Sequence, residues 1–259
     1  MELFIALSAS TLIGVSIGLF GAGGSILIMP VLVYALDLQP SIAITYSLGI
    51  VGLSSSISAF KASSRTKLQI LPMLALGAPA MLTTLATRSY FIPILPTMFT
   101  IGEVNLNRES CTMMILALLM LIAAWRMIFQ REGISNVSSF SIYYLIASGI
   151  GIGLITGFTG IGGGFLIVPL MIFISGMSMQ EATYASMILI ALNTLPSFAI
   201  DLLSGKSIHY PLFVTLALFS ILGSFGGIFI ARFIQQQRLK QLFGMMIAFL
   251  AFYIFINEL

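Results

Sequence analysis

Apolar residues in this chain neither alternate nor form a single helical stripe; they run on without interruption. Ten such segments can be counted, at roughly 3–20, 22–38, 41–60, 68–87, 110–129, 141–158, 161–177, 183–200, 209–231 and 240–257. Runs of this length predict membrane-spanning helices, each needing roughly 20 residues. Ten of them use about 200 of the 259 residues, which leaves connections but no room for a soluble domain of ordinary size. A transmembrane barrel would alternate apolar and polar residues and is excluded. The second and seventh segments are short and start at glycine clusters. Of the two longest connections, Arg88–Glu109 and Gln130–Phe140, the first carries Pro93 and Pro96 and is expected to lie along the membrane surface. Met1-Glu2-Leu3 offers no basic n-region, so the first segment reads as a retained helix.

The pattern repeats. Sliding the chain by 139 residues places Gly14 on Gly153, Gly18 on Gly157 and Gly21 on Gly160. The same offset pairs Gly23 and Gly24 with Gly162 and Gly163, and Leu27, Ile28 and Pro30 with Leu166, Ile167 and Pro169. Ala43 and Ser47 then fall on Ala182 and Ser186, giving 10 identities over the 35 positions from 14 to 48. Apolar composition accounts for some Leu and Ile matches, but not for five glycines, a proline and a serine in register. The chain therefore reads as a first membrane repeat (1–130), a cytoplasmic linker (131–140) and a second membrane repeat (141–259).

Composition agrees with a membrane setting: 59% of residues are hydrophobic and 7% charged, with mean hydropathy +1.11, against about 25% charged in soluble domains. The net charge of +3 would suit nucleic acid in a soluble protein, but in a polytopic chain it marks cytoplasmic loops. With five spans per repeat and the second repeat inverted, Lys61, Arg65, Lys67, Arg126, Arg131, Arg232, Arg238 and Lys240 share one side, 8 of the 11 basic residues. Arg88, Arg108 and Lys206 fall opposite. Re-entrant short segments would split the charges 6 to 5, so the inverted five-plus-five arrangement is favoured, with both termini outside. The lone Cys111 allows no internal disulfide and reads as a small buried hydrophobe.

Candidate chemistry centres on the repeated glycines. Consecutive glycines break a helix, and a helix restarted after the break directs free N–H groups and a positive dipole end at it, a ready anion site. In transporters built from inverted repeats, such broken helices meet near the midplane and hold the substrate. Gly23, Gly24 and Ser25 in one half and Gly162, Gly163 and Gly164 in the other are therefore the candidate substrate cradle, with Pro30 and Pro169 as hinges. Ser47, Ser186 and Asn193 are candidate substrate ligands, because hydroxyls and amides hold an oxyanion without the full cost of a buried charge. Interhelical hydrogen bonding is the competing role for these side chains and for Ser54, Ser55 and Ser56. Gly14/Gly18 and Gly153/Gly157 have the spacing of close helix contacts. Gly223/Gly227 serve either as internal contacts or as a dimer seam, so a homo-oligomer stays open.

Asp37, Glu181, Asp201, Lys206 and His209 all fall at expected span ends and read as solvated. No deeply placed Arg or Lys is evident to neutralise an anion, although Asp201 or His209 could relay a proton. Enzyme signatures are weak. A single His209 supplies no multi-histidine metal site, Gly205-Lys206-Ser207 lacks the glycine a phosphate loop needs, and a serine–histidine hydrolase would require a serine opposite His209. No cofactor is expected.

Gly21-Ala22-Gly23-Gly24-Ser25-Ile26-Leu27-Ile28-Met29-Pro30 and Gly160-Ile161-Gly162-Gly163-Gly164-Phe165-Leu166-Ile167-Val168-Pro169 resemble the duplicated glycine-rich signature of the sulfite exporter TauE/SafE family. Ala43…Ser47, Ala182…Ser186 and the segment Gly223-Ser224-Phe225-Gly226-Gly227…Phe243-Gly244 resemble it as well. Ser25 departs from it, standing where the family commonly has a third glycine. The resemblance implies a multi-pass carrier of the bacterial inner membrane that moves sulfite, sulfoacetate or related sulfur anions. On this expectation the chain is an all-α polytopic membrane protein of about ten segments in two inverted repeats with glycine-broken half-helices. It works by alternating access on a small anionic substrate, with protons as the coupling ion. The alternatives are a passive anion channel and, further off, an intramembrane enzyme.

Overall fold

The computed structural model describes residues 2–62, 69–91, 94, 98–101, 104–129, 142–159, 164–206 and 208–258. The apolar segments fold as helices. The described residues up to 129 form α1 (Glu2–Phe20), a 3-10 stretch (Gly21–Leu27) that runs into the short α2 (Ile28–Pro30) and a π-helical turn (Val31–Ala35), then α3 (Pro40–Ala62), α4 (Ile70–Ala86) and α5 (Arg108–Phe129). A π-helical turn, Thr87–Phe91, extends α4. After it come α6 (Ile142–Thr159), α7 (Gly164–Ser175), α8 (Met179–Leu203), α9 (Tyr210–Ala231) and α10 (Gln236–Glu258). The proposed linker, 131–140, lies outside the described residues.

Five of the described helices are long and apolar enough to cross a membrane: Ser41–Lys61, Ile70–Phe91, Met179–Leu203, Tyr210–Ala231 and Gln236–Ile256. Shorter apolar helices, among them Ile142–Phe158 and Leu166–Ser175, pack beside them. Phe60, Leu203 and Phe249 point outward, as side chains facing lipid do and those facing water rarely do. The connection between α4 and α5 carries two antiparallel strands, β1 (Met98–Ile101) and β2 (Val104–Asn107), with Ile101 opposite Val104.

Two helix pairs make backbone-to-backbone approaches. A Cβ added at Gly14 would overlap the Ser220 carbonyl, and one at Gly18 the Ser224 carbonyl. Gly223 and Gly227 answer from α9 against the carbonyls of Thr11 and Val15. These glycines are thus internal contacts between α1 and α9, in the manner of small-xxx-small membrane interfaces. The same approach recurs between α6 and α4, where Gly149 abuts the Leu76 carbonyl and Gly153 the Ala80 carbonyl, a Cβ on Gly153 falling 2.5 Å from it. In both pairs contacts advance together along the chain, so the helices run parallel. By contrast α3 and α8 run antiparallel, since Thr45, early in α3, bonds Asp201, late in α8.

A further match appears where the glycine segments end. Leu38 N–H donates to the Leu32 carbonyl (3.1 Å) around Asp37, and Met177 N–H donates to the Met171 carbonyl (3.3 Å) around Gly176. Asp37 and Gly176, which stand 139 apart, both take left-handed backbone angles, φ 50° and 61°. This is a helix-terminating αL cap, with an aspartate tolerated where the other half uses glycine.

Candidate functional site

The first glycine segment tightens without opening a gap. From Gly21 to Leu27 the chain is a 3-10 helix, and Ile28 N–H bonds the Ser25 carbonyl. A full break would strand backbone N–H groups inside the bilayer, where each costs several kcal/mol, whereas a 3-10 stretch keeps i→i+3 bonds. This corrects the expected half-helix with a free N-terminus in the first repeat. The turn itself is made at Gly21, whose φ of 67° glycine adopts without the strain a Cβ brings. A side chain there would also meet the Thr183 carbonyl at 2.6 Å and the Ser186 hydroxyl at 2.7 Å.

Gly23, Gly24 and Ser25 are buried. A Cβ on Gly24 would strike the Ser16 backbone, and one on Gly23 the Phe243 ring. The segment packs on α7 and on α8. Helix α7 starts at the buried Gly164, while Gly162 and Gly163 lie outside the described residues. Pro30 closes α2 ahead of the π-helical turn, and Pro169 sits inside α7, which continues to Ser175. The second short helix is therefore not ended by its proline.

Ser47 and Ser186 are both fully buried, on α3 and α8; the Ser186 hydroxyl donates to the Thr183 carbonyl at 2.7 Å. Two turns further along the same face of α8 lies Asn193, 2% exposed. Neither its Oδ1 nor its Nδ2 has a hydrogen-bond partner among the described residues, and the same holds for the hydroxyls of Ser55 and Ser58 on the neighbouring α3. Leaving such groups unsatisfied costs about 1–3 kcal/mol each. Ser54, by contrast, is engaged with Ser220 across 3.0 Å, and Ser56 donates to the Gly52 carbonyl.

A charge cluster sits at the far end of α8. Asp201 is 4% exposed and Arg88 6%, and the two form an ion pair through Arg88 Nη2 and Asp201 Oδ2. Thr45 donates to the same carboxylate oxygen (2.8 Å), Lys206 Nζ lies 3.1 Å from the other, and Arg88 Nη1 donates to the Gly157 carbonyl (3.4 Å). Beside it, His209 N–H donates to the Tyr46 hydroxyl at 2.8 Å. Two expectations are corrected here: Asp201 is not a solvated span end, and a buried arginine exists. Lys240 is a second buried cation, with Nζ 5.1 Å from the centre of the Phe173 ring. Asp37, Lys206 and His209 are exposed, as expected of span ends. The His209 imidazole caps α9 by accepting from Leu212 N–H at Nδ1. Among the described residues no group of three His, Cys, Asp or Glu side chains is assembled.

At the opposite end of α3 and α8 a cavity of about 160 Å³ opens. Its walls include Gly18, Lys61, Gln180, Thr183, Ile228 and Arg232, and through Thr183 it reaches the turn at Gly21. The Glu181 carboxylate is turned away into a capping box, accepting from Ser178 N–H and Oγ at 2.9 Å.

The sequence model of the family described as sulfite exporter TauE/SafE matches residues 6–254. No curated protein matches the chain.

Proposed function

The chain belongs to the sulfite exporter TauE/SafE family, a transporter family, and is an integral membrane protein; from that premise we propose that it is a secondary carrier of sulfite or an organosulfonate. The observation that carries the reading is Asn193, a buried amide with both polar atoms unpartnered among the described residues, on the face of α8 that presents Ser186 to the glycine turn. A structural asparagine in a helix core would be satisfied; a substrate ligand has reason to wait. The cradle comprises Gly23, Gly24, Ser25 and Ser47 from the first half and Gly162, Gly163, Gly164, Ser186 and Asn193 from the second, with Pro30 and Pro169 flexing beside it.

About ten segments in two inverted repeats make up the carrier. Three observations support this: the 139-residue offset, the antiparallel α3 and α8, and the recurrence of the α1–α9 approach in α4–α6. In this reading the inner membrane holds the protein with both termini periplasmic, the two halves rock about the cradle to alternate access, and protons drive the cycle.

The test is uptake of radiolabelled sulfite, thiosulfate and sulfoacetate into proteoliposomes with and without a pH gradient, for the wild type and for Asn193→Leu. Saturable, gradient-dependent uptake of one anion is expected. Asn193→Leu should lose most of it while melting no earlier than the wild type, because it removes two unsatisfied groups. Wild-type uptake by the variant would remove Asn193 from the site, and uptake linear in concentration would make the protein a channel.

A further inference from the structure

The two ends of the α3–α8 pair carry related positions with opposite charge logic. At one end Asp201 is held by Arg88 and Thr45, while Arg88 also reaches the Gly157 carbonyl. Gly157 stands 139 residues after Gly18, Tyr184 139 after Thr45, and Asp201 140 after Lys61. Gly18, Tyr184 and Lys61 all line the cavity at the other end. The position 140 after Arg88 is Ile228, also in the lining, and Arg232 follows one helical turn later. Each end thus draws on four elements, two from each half, and the offset carries one set of positions onto the other. Where one end places a carboxylate against an arginine, the other places a lysine, and the space between remains open.

Both cations stay available. Lys61 Nζ rests over the Phe225 ring at 4.7 Å, and neither Lys61 nor Arg232 has a carboxylate partner among the described residues. Gln180 and Thr183 come from the first turns of α8, whose positive dipole end adds to the field. The Thr183 hydroxyl is buried without a partner among the described residues. A volume near 160 Å³ is several times the about 30 Å³ share of one liquid water, enough for a small oxyanion with part of its hydration.

We infer that this cavity is an oxyanion-capture site, in which a ligand carried between Lys61 and Arg232 and hydrogen-bonded by Gln180 and Thr183 supplies the negative charge that Asp201 supplies at the other end. The inference rests on the transporter reading for its role, as the vestibule that hands the anion past Thr183 to the Gly21–Ser186 turn; its geometry is independent of that reading. The same chemistry would hold a free sulfur oxyanion or the phosphate of a lipid headgroup.

The experiment is equilibrium binding of radiolabelled sulfite to the full chain in nanodiscs of phosphatidylcholine alone, with uptake measured in parallel. Lys61→Gln and Arg232→Gln should each weaken binding about tenfold, the worth of one charge-assisted contact. Lys61→Asp should abolish it, because an aspartate there repels the anion and takes Arg232 as its own partner, as Asp201 takes Arg88. Arg238→Gln, exposed on the same face but outside the lining, should bind normally. Phosphatidylglycerol retained by the wild type and released by Lys61→Asp, with no sulfite bound, would assign the oxyanion to lipid. Sulfite binding unchanged in Lys61→Asp would overturn the site while leaving a transporting wild type intact. Binding that follows these variants in a protein without uptake would keep the site and defeat the transporter reading.

Discussion

Asp201 shows how far a single residue can depart from its sequence neighbourhood. It sits two residues before the end of α8, ahead of Ser204-Gly205-Lys206, a turn by composition, and those neighbours argue for a solvated end. Its partner, Arg88, comes from 113 positions away on a π-helical turn that no periodicity announces, so nothing local could have signalled the pair. Ser47 and Ser186 offer the opposite case: each half states the same serine, so their shared burial could be anticipated from sequence, and both are fully buried. Removing one partner of a buried ion pair strands the other, at about 3–5 kcal/mol, whereas replacing both with apolar residues can be nearly neutral. Asp201→Ala should therefore unfold well below the wild type in detergent, and the double variant Arg88→Met/Asp201→Leu should recover much of the loss. Additive losses in a double-mutant cycle would show that the two side chains do not act as a unit.

Among the elements, glycine does two distinct jobs that the sequence pattern only partly separates. Spacing alone identified Gly14 and Gly18 as contact positions, and they do lie against α9. The glycine cluster Gly21, Gly23 and Gly24 announced irregular backbone, but not its form, because the choice between a gap and a 3-10 stretch depends on whether water can reach the freed N–H groups. Hairpin β1–β2 was missed because two short strands in a long connection carry too little apolar pattern to compete with the segments around them. The contact role yields a comparison. Gly14→Val places a side chain into the Ser220 carbonyl and must separate α1 from α9, whereas a Cβ at Gly226, also on α9, meets nothing within 4 Å. Gly226→Ala should gain roughly 0.5–1 kcal/mol from reduced chain entropy. Thermal melts of the two purified variants should shift in opposite directions; a tolerated Gly14→Val would mean that the two helices are free to separate.

For the whole molecule, the arrangement of charge and the arrangement of helices make one argument. Lys61 and Arg232 share the cavity end, while Arg88 and Lys206 share the Asp201 end, a division that the proposed five spans per inverted repeat would give. Four spans per repeat would mix the basic residues almost evenly between the two faces, which orientation by Lys and Arg bias disfavours. The structure relates the two ends to one another, and the bilayer decides which of them faces the cytoplasm. With Cys111 first changed to serine, single cysteines at Lys206 and Arg232, both exposed, can be labelled with a membrane-impermeant maleimide. On the proposed orientation Lys206→Cys should react in intact cells, and Arg232→Cys only after the membrane is opened, because the sequence assigns the larger share of Lys and Arg to the side of Lys61 and Arg232. The reverse pattern would turn the molecule over and make the cavity an outward-facing entrance. Equal reaction of both from one side would break the inverted arrangement itself, since the antiparallel α3 and α8 place these two residues at opposite ends of the same helix pair.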